Sequence, residues 1–158
     1  MNVDISMKSI YPVLMRIRHL NHSTYQTQYH IVWCTKYCRK IIKPYVQKEI
    51  VRSILKTLNS YPTWFMHQLN TGPQHIHLRI ELPPNVAVST VVRELKSRSS
   101  IHLRSKFKYI DKIYEKSGIW SVGYFVSTIG LNELMIKKYI TNQEGYDVGY
   151  DVTDEYSC

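Results

Sequence analysis

Between Gln74 and Pro84 the chain reads QHIHLRIELPP, and no other stretch restricts its own conformation so tightly. Ile76, Leu78, Ile80 and Leu82 alternate with His75, His77, Arg79 and Glu81. Successive side chains of a strand point to opposite faces, so the run predicts a strand with one apolar and one polar side. Pro83 and Pro84 end it, because neither has an N–H to give to a ladder. His75 and His77 are then expected side by side, on the face the core does not use.

The flanking segments supply the rest of a sheet. YHIVWCTKY (29–37) is rich in β-branched and aromatic residues and reads as a first strand, with the basic run KYCRK (Lys36, Arg39, Lys40) at its end. From Pro44, the spacing of Val46, Ile50, Ile54, Leu55 and Leu58 predicts a helix, which NSYP (59–62) closes. TWFMHQL (63–69) reads as a second strand, and NTGP turns the chain into the strand at 75–82. A second helix is expected from about Val86 to Phe107, with Val88, Val91, Val92 and Leu95 as its buried stripe and Arg93, Lys96, Arg98 and Arg104 elsewhere. A loop to about Gly118 precedes YFVSTI, the fourth strand, and Asn132 is the expected N-cap of a third helix, NELMIKKYITNQ.

The first six elements follow the order β-α-β-β-α-β of ferredoxin-like α+β domains: an antiparallel sheet with helices on one face and the other face open. At 158 residues the chain fits one such domain, expected over 24–143. An N-terminal extension (1–23) precedes it, and an acidic tail (144–158), expected to be mobile, follows.

Charge narrows the partner. The net charge is +9, yet the last fifteen residues hold five acids and no Lys or Arg, leaving +14 on residues 1–143. A body this basic favours a polyanion, most simply nucleic acid, although a solvated basic surface accounts for the charge alone. Three cysteines (Cys34, Cys38, Cys158) make neither a disulfide framework nor a zinc site, and read as thiols of a reducing compartment. Arg16 and Arg18 interrupt the short apolar run near the N-terminus, so no signal peptide or membrane span is expected and the cytoplasm is the expected location.

Two groups of residues carry possible chemistry. Imidazoles two residues apart on one strand face can share a divalent ion, but a third ligand must come from elsewhere, and a bare pair of this kind is more often two surface histidines that bind nothing. On the last predicted helix, Tyr139 and Gln143 are four apart and share a face, beside Lys137 and Lys138. Tyrosine can act as a covalent nucleophile, helped by a metal that polarises a phosphate. With thirteen tyrosines in the chain, spacing alone does not separate this role from packing against Ile136 and Ile140.

Taken together, YHIVWCTKYCRKII, QHIHLRIELPP, WSVGYFVSTIG and IKKYITNQ resemble, in order and approximate spacing, four blocks of one family. That family is the single-tyrosine HUH transposases of small bacterial and archaeal insertion sequences, which also includes the REP-associated tyrosine transposases. The resemblance covers about residues 25 to 143. It implies that His75 and His77 hold a Mg²⁺ or Mn²⁺ ion with Gln143 as third protein ligand. It implies that Tyr139 attacks single-stranded DNA, leaving a 5′-phosphotyrosine and a free 3′-OH. It further implies recognition of hairpins at the element ends, and a homodimer whose C-terminal helices can be exchanged. No ATP is expected, in keeping with the missing GxxxxGK[ST] loop. Lys36, Arg39, Lys40, Arg93, Lys96, Arg98, Arg104, Lys137 and Lys138 are candidate DNA contacts.

Two residues depart from the family pattern: Gln74 stands where an acid is common, and Cys38 interrupts a more basic run. Two competing readings keep the same fold. A non-catalytic RNA-recognition-like module would show aromatics on the inner strands, where this chain has His, His, Arg and Glu. A two-histidine phosphoesterase would need a second His motif, which YFVSTIG lacks. A domesticated relative acting on repeated chromosomal hairpins also fits this single sequence.

Overall fold

The computed structural model describes residues 18–115 and 117–129. Two short strands, β1 (Arg18–Leu20) and β2 (Ser23–Tyr25), form a hairpin in register Arg18 with Tyr25. The main elements follow: β3 (Gln28–Cys34), α1 (Pro44–Asn59), β4 (Phe65–Thr71), β5 (His75–Glu81), α2 (Val88–Lys106), α3 (Lys108–Ile113) and β6 (Phe125–Ile129). The four longer strands make one sheet in the order β4-β5-β3-β6, with every neighbouring pair antiparallel. This is the expected α+β architecture, up to the end of β6.

Alternation along β5 decides where the core lies. Ile76, Leu78 and Ile80 have no exposed surface, and they pack with Ile31 and Trp33 of β3. Val46, Ile50 and Ile54 of α1 and Val91, Val92, Leu95 and Leu103 of α2 close over the same face. Each such aliphatic side chain removed from water stabilises the fold by about 1.5–3 kcal/mol. Both long helices therefore lie on one side of the sheet, and the polar residues of β5 point to the other.

Several details differ from the sequence-based expectation. The first strand ends at Cys34 and not at Tyr37, because Lys36–Cys38 form a turn in which Tyr37 (φ 60°) and Cys38 (φ 49°) are left-handed. Non-glycine residues take that conformation only when the surroundings enforce it. The expected loop before Gly118 contains α3, tied to α2 by the Arg104–Asp111 ion pair at 2.7 Å. Glu81 is not on an open face: it is 1% exposed. Arg18 Nε of the N-terminal hairpin and His67 Nε2 of β4 each lie 2.8 Å from its carboxylate. His67 sits at the irregularity of β4 between Met66 and Gln68. Cys34 is a thiol as expected, whereas Cys38 is disulfide-bonded. The expected C-terminal helix, with Lys137, Lys138, Tyr139 and Gln143, and the acidic tail lie outside the described residues.

Candidate active site

His75 and His77 occupy alternate positions at the start of β5 and share its helix-free face. Their rings meet edge to face, with centroids 4.8 Å apart. The turn before the strand sets the position of His75. A Cβ built on Gly72 would lie 2.3 Å from His75 Cε1 and 2.5 Å from its Nε2, so the ring occupies space that only a glycine leaves open. Gly72 N–H also donates to His75 O at 2.9 Å, closing the turn.

His77 is partly buried. Burial, then the neighbouring His75 and His30, lowers its pKa to about 4, so the ring is neutral at physiological pH. A neutral imidazole is the form that offers a lone pair to a metal ion. His30 lies against it: His30 Nε2 is 3.3 Å from His77 Nδ1, and the ring planes lie 19° from parallel with centroids 5.4 Å apart. Burial and the Arg79 guanidinium lower the pKa of His30 as well. Among the described residues, no group of three or more His, Cys, Asp or Glu side chains is arranged to hold a metal ion. His75 and His77 are therefore two potential ligands that need a third, and His30 is a hydrogen-bond partner of one of them.

Gln74, the departure from the family pattern, keeps its Oε1 buried without a hydrogen-bond partner among the described residues. A neutral amide tolerates that placement better than a carboxylate would.

The basic candidates separate into groups. Lys36 and Arg39 flank the exposed Tyr37 in the turn after β3, with their charges 5.1 Å and 5.3 Å from its ring centroid. Cys34 pairs with His75, and Thr35 N–H donates to Gln74 O at 2.7 Å, so this turn borders the histidine end of the sheet. Arg39 also donates to Ile113 O at 2.7 Å, and Lys40 is exposed. The cations of α2 are on the opposite side of the sheet. Arg98 pairs with Glu94 at 3.2 Å and Arg104 with Asp111, while Arg93 is exposed, 3.9 Å from Glu94. Lys96 does a different job: its ammonium donates to Ser121 O (2.9 Å) and Gly123 O (2.6 Å), pinning the loop before β6. Burial lowers its pKa to about 8.

Two contributors were not read from the sequence. Gly72 could have been suspected from its place three residues before the first histidine, but its contact depends on a rotamer. His30 could not have been found without the pairing of β3 with β5. Its own alternation with Ile31 and Trp33 put it on the polar side; only the register put it beside His77.

Comparison with known proteins identifies relatives of this chain. Residues 23–143 match the family model described as "Transposase IS200 like". The chain is 33% identical over 127 residues to the transposase for insertion sequence element IS200 from Salmonella typhimurium, covering 80% of this chain and 82% of that protein. It is 25% identical over 120 residues to the ISDra2 transposase TnpA of Deinococcus radiodurans, covering 75% and 85% respectively. A crystal structure described as a Deinococcus radiodurans transposase shares the fold at a TM-score of 0.66 and 22% identity, over 80% of this chain and 98% of that one. A REP-associated tyrosine transposase, solved bound to a REP hairpin, shares it at 0.54 and 16% identity, over 78% and 74%. With most of its length matched by both the family model and a relative a third identical to it, the chain belongs to the IS200-like transposase family.

Proposed function

We propose that this transposase cuts and rejoins single-stranded DNA through a covalent 5′-phosphotyrosine on Tyr139. In this reading His75 and His77, with Gln143 as third ligand, hold a Mg²⁺ or Mn²⁺ ion. The observation that carries it is the pair His75 and His77 on the open sheet face, 4.8 Å apart between centroids, with His77 kept neutral. That donor set fits a divalent ion, and the glycine cradle under His75 fits a ring that must hold one orientation. A bound ion would polarise the scissile phosphate and offset its developing negative charge.

The steps fall to the chain's own residues. The Tyr139 phenolic oxygen gives up its proton to solvent and forms a bond to phosphorus as the P–O3′ bond breaks. The 3′-oxygen leaves and takes up a proton. The 5′-phosphate stays on the tyrosine as a phosphodiester, so little free energy is lost, and attack by a second 3′-OH reverses the linkage without ATP. The Lys36–Arg39 turn beside His75 supplies positive charge for the strand's backbone, and exposed Tyr37 offers a ring to stack on. Hairpins near the element ends are the proposed recognition feature, and a homodimer exchanging C-terminal helices is the proposed assembly.

The test is incubation with an end-derived single-stranded oligonucleotide and Mn²⁺. A protein–DNA adduct that survives denaturing electrophoresis is expected, and Tyr139→Phe should remove it while hairpin binding persists. An adduct in Tyr139→Phe would move the nucleophile elsewhere. His75→Ala should cut cleavage far more than binding.

A further inference from the structure

We infer that His30 is a positioning residue for His77, accepting the His77 Nδ1 proton at its own Nε2 and so leaving His77 Nε2 free for a divalent ion. The inference rests on the metal-binding reading above and assigns a role to a residue outside the two-histidine motif.

The geometry carries it. His30 lies on β3, 47 residues before His77, and its Nε2 is 3.3 Å from His77 Nδ1. The ring planes lie 19° from parallel with centroids 5.4 Å apart, and with the nitrogens at 3.3 Å the rings meet side by side along their edges. The register explains the approach: Val32 pairs with His77 and His30 with Arg79, so His30 is the diagonal neighbour of His77 on one face.

A neutral imidazole carries one N–H and one lone pair, and the hydrogen bond at one nitrogen determines which role the other plays. At 3.3 Å the two facing nitrogens form one hydrogen bond, in which one ring donates its N–H and the other accepts. A divalent ion can be taken at His77 Nε2 only when the His77 proton sits on Nδ1. His30 is not a third ligand, since no group of three such side chains among the described residues is arranged to hold an ion. Partners of this type commonly change metal affinity by 10–100-fold when removed.

Two measurements decide the matter. Long-range ¹H–¹⁵N NMR on metal-free full-length protein should show His77 as the Nδ1–H tautomer, and His30→Ala should shift it toward Nε2–H. Electron paramagnetic resonance titration with Mn²⁺ should show affinity falling about 10–100-fold in His30→Ala. His30→Gln, whose carbonyl can accept the same proton, should recover most of that loss. The thermal midpoint of His30→Gln should stay close to wild type, separating positioning from support of the fold. An Nε2–H tautomer in the wild type, or unchanged Mn²⁺ affinity in His30→Ala, overturns the inference. Wild-type protein that binds no Mn²⁺ overturns the metal reading instead, and the tautomer measured without metal still decides the role of His30.

Discussion

The His75 ring fills the space where any other residue at position 72 would place its Cβ, 2.3 Å from His75 Cε1. Gly72 and His75 are thus coupled by exclusion, and the backbone bond from Gly72 N–H to His75 O holds them in that relation. Gly72→Ala is expected to push the imidazole to another rotamer, because a side chain yields more easily than a backbone turn. Stability should fall by about 1–3 kcal/mol. Adduct formation should fall on the order of 10²-fold, as for other displacements of about 1 Å at a reacting centre. Circular dichroism melts and the oligonucleotide assay separate the two effects, and an adduct yield within twofold of wild type would show that the cradle is dispensable.

Glu81 joins three parts of the molecule through one buried carboxylate: Arg18 of the hairpin, His67 of β4 and its own strand. Arg18 also lies over the Phe65 ring, 3.2 Å from its centroid, so the hairpin is held by charge and by packing. Removing Arg18 would leave the buried Glu81 carboxylate short of its partner charge. Arg18→Ala should therefore cost about 3–5 kcal/mol in urea unfolding, and should expose residues 18–25 to proteolysis. A cost below about 0.5 kcal/mol would mean that hydrophobic contacts alone seat the hairpin.

In metal-free protein, the depressed pKa of His77 makes stability depend on pH in one direction. The unfolded chain binds a proton at this site near pH 6.5, the native state only near pH 4. Between those values the unfolded state holds more protons, so stability falls as pH is lowered through the window. The full effect is roughly 3 kcal/mol, flat above about pH 7. Urea midpoints from pH 7 to 4 measure it, and His77→Phe should flatten the slope.

The basic side chains of α2 should divide by what they already touch. Lys96→Met removes the donor to the Ser121 and Gly123 carbonyls, and is expected to cost about 1–3 kcal/mol with faster amide exchange in the loop before β6. Arg93→Ala, at a largely exposed site, should change stability by less than about 0.5 kcal/mol. If Arg93 meets a DNA phosphate, that variant should reduce the salt dependence of hairpin binding by about one charge. An identical salt slope would assign Arg93 to a solvated surface.

The chain's own order of residues determined a great deal here. The alternation of 75–82 predicted which face of β5 is apolar, and Ile76, Leu78, Ile80 and Leu82 are all fully buried. Helical spacing placed α1 and α2 to within two residues, and the element order specified a ferredoxin-like sheet. These are local signals, because a period of two or of about 3.6 is set by neighbours along the backbone.

The tertiary structure decided whatever depends on which strands meet and in what register. His30 becomes the neighbour of His77 only when β3 pairs with β5, and Glu81 meets Arg18 of the N-terminal hairpin and His67 of β4 only in the packed chain. The same holds for Lys96, whose positive charge suggested DNA by composition but meets carbonyls 25 and 27 residues further along. Charge and periodicity are properties of a segment. A partner's identity is a property of the packed chain, since contacts between distant residues form only once the core has chosen one register and excluded the rest.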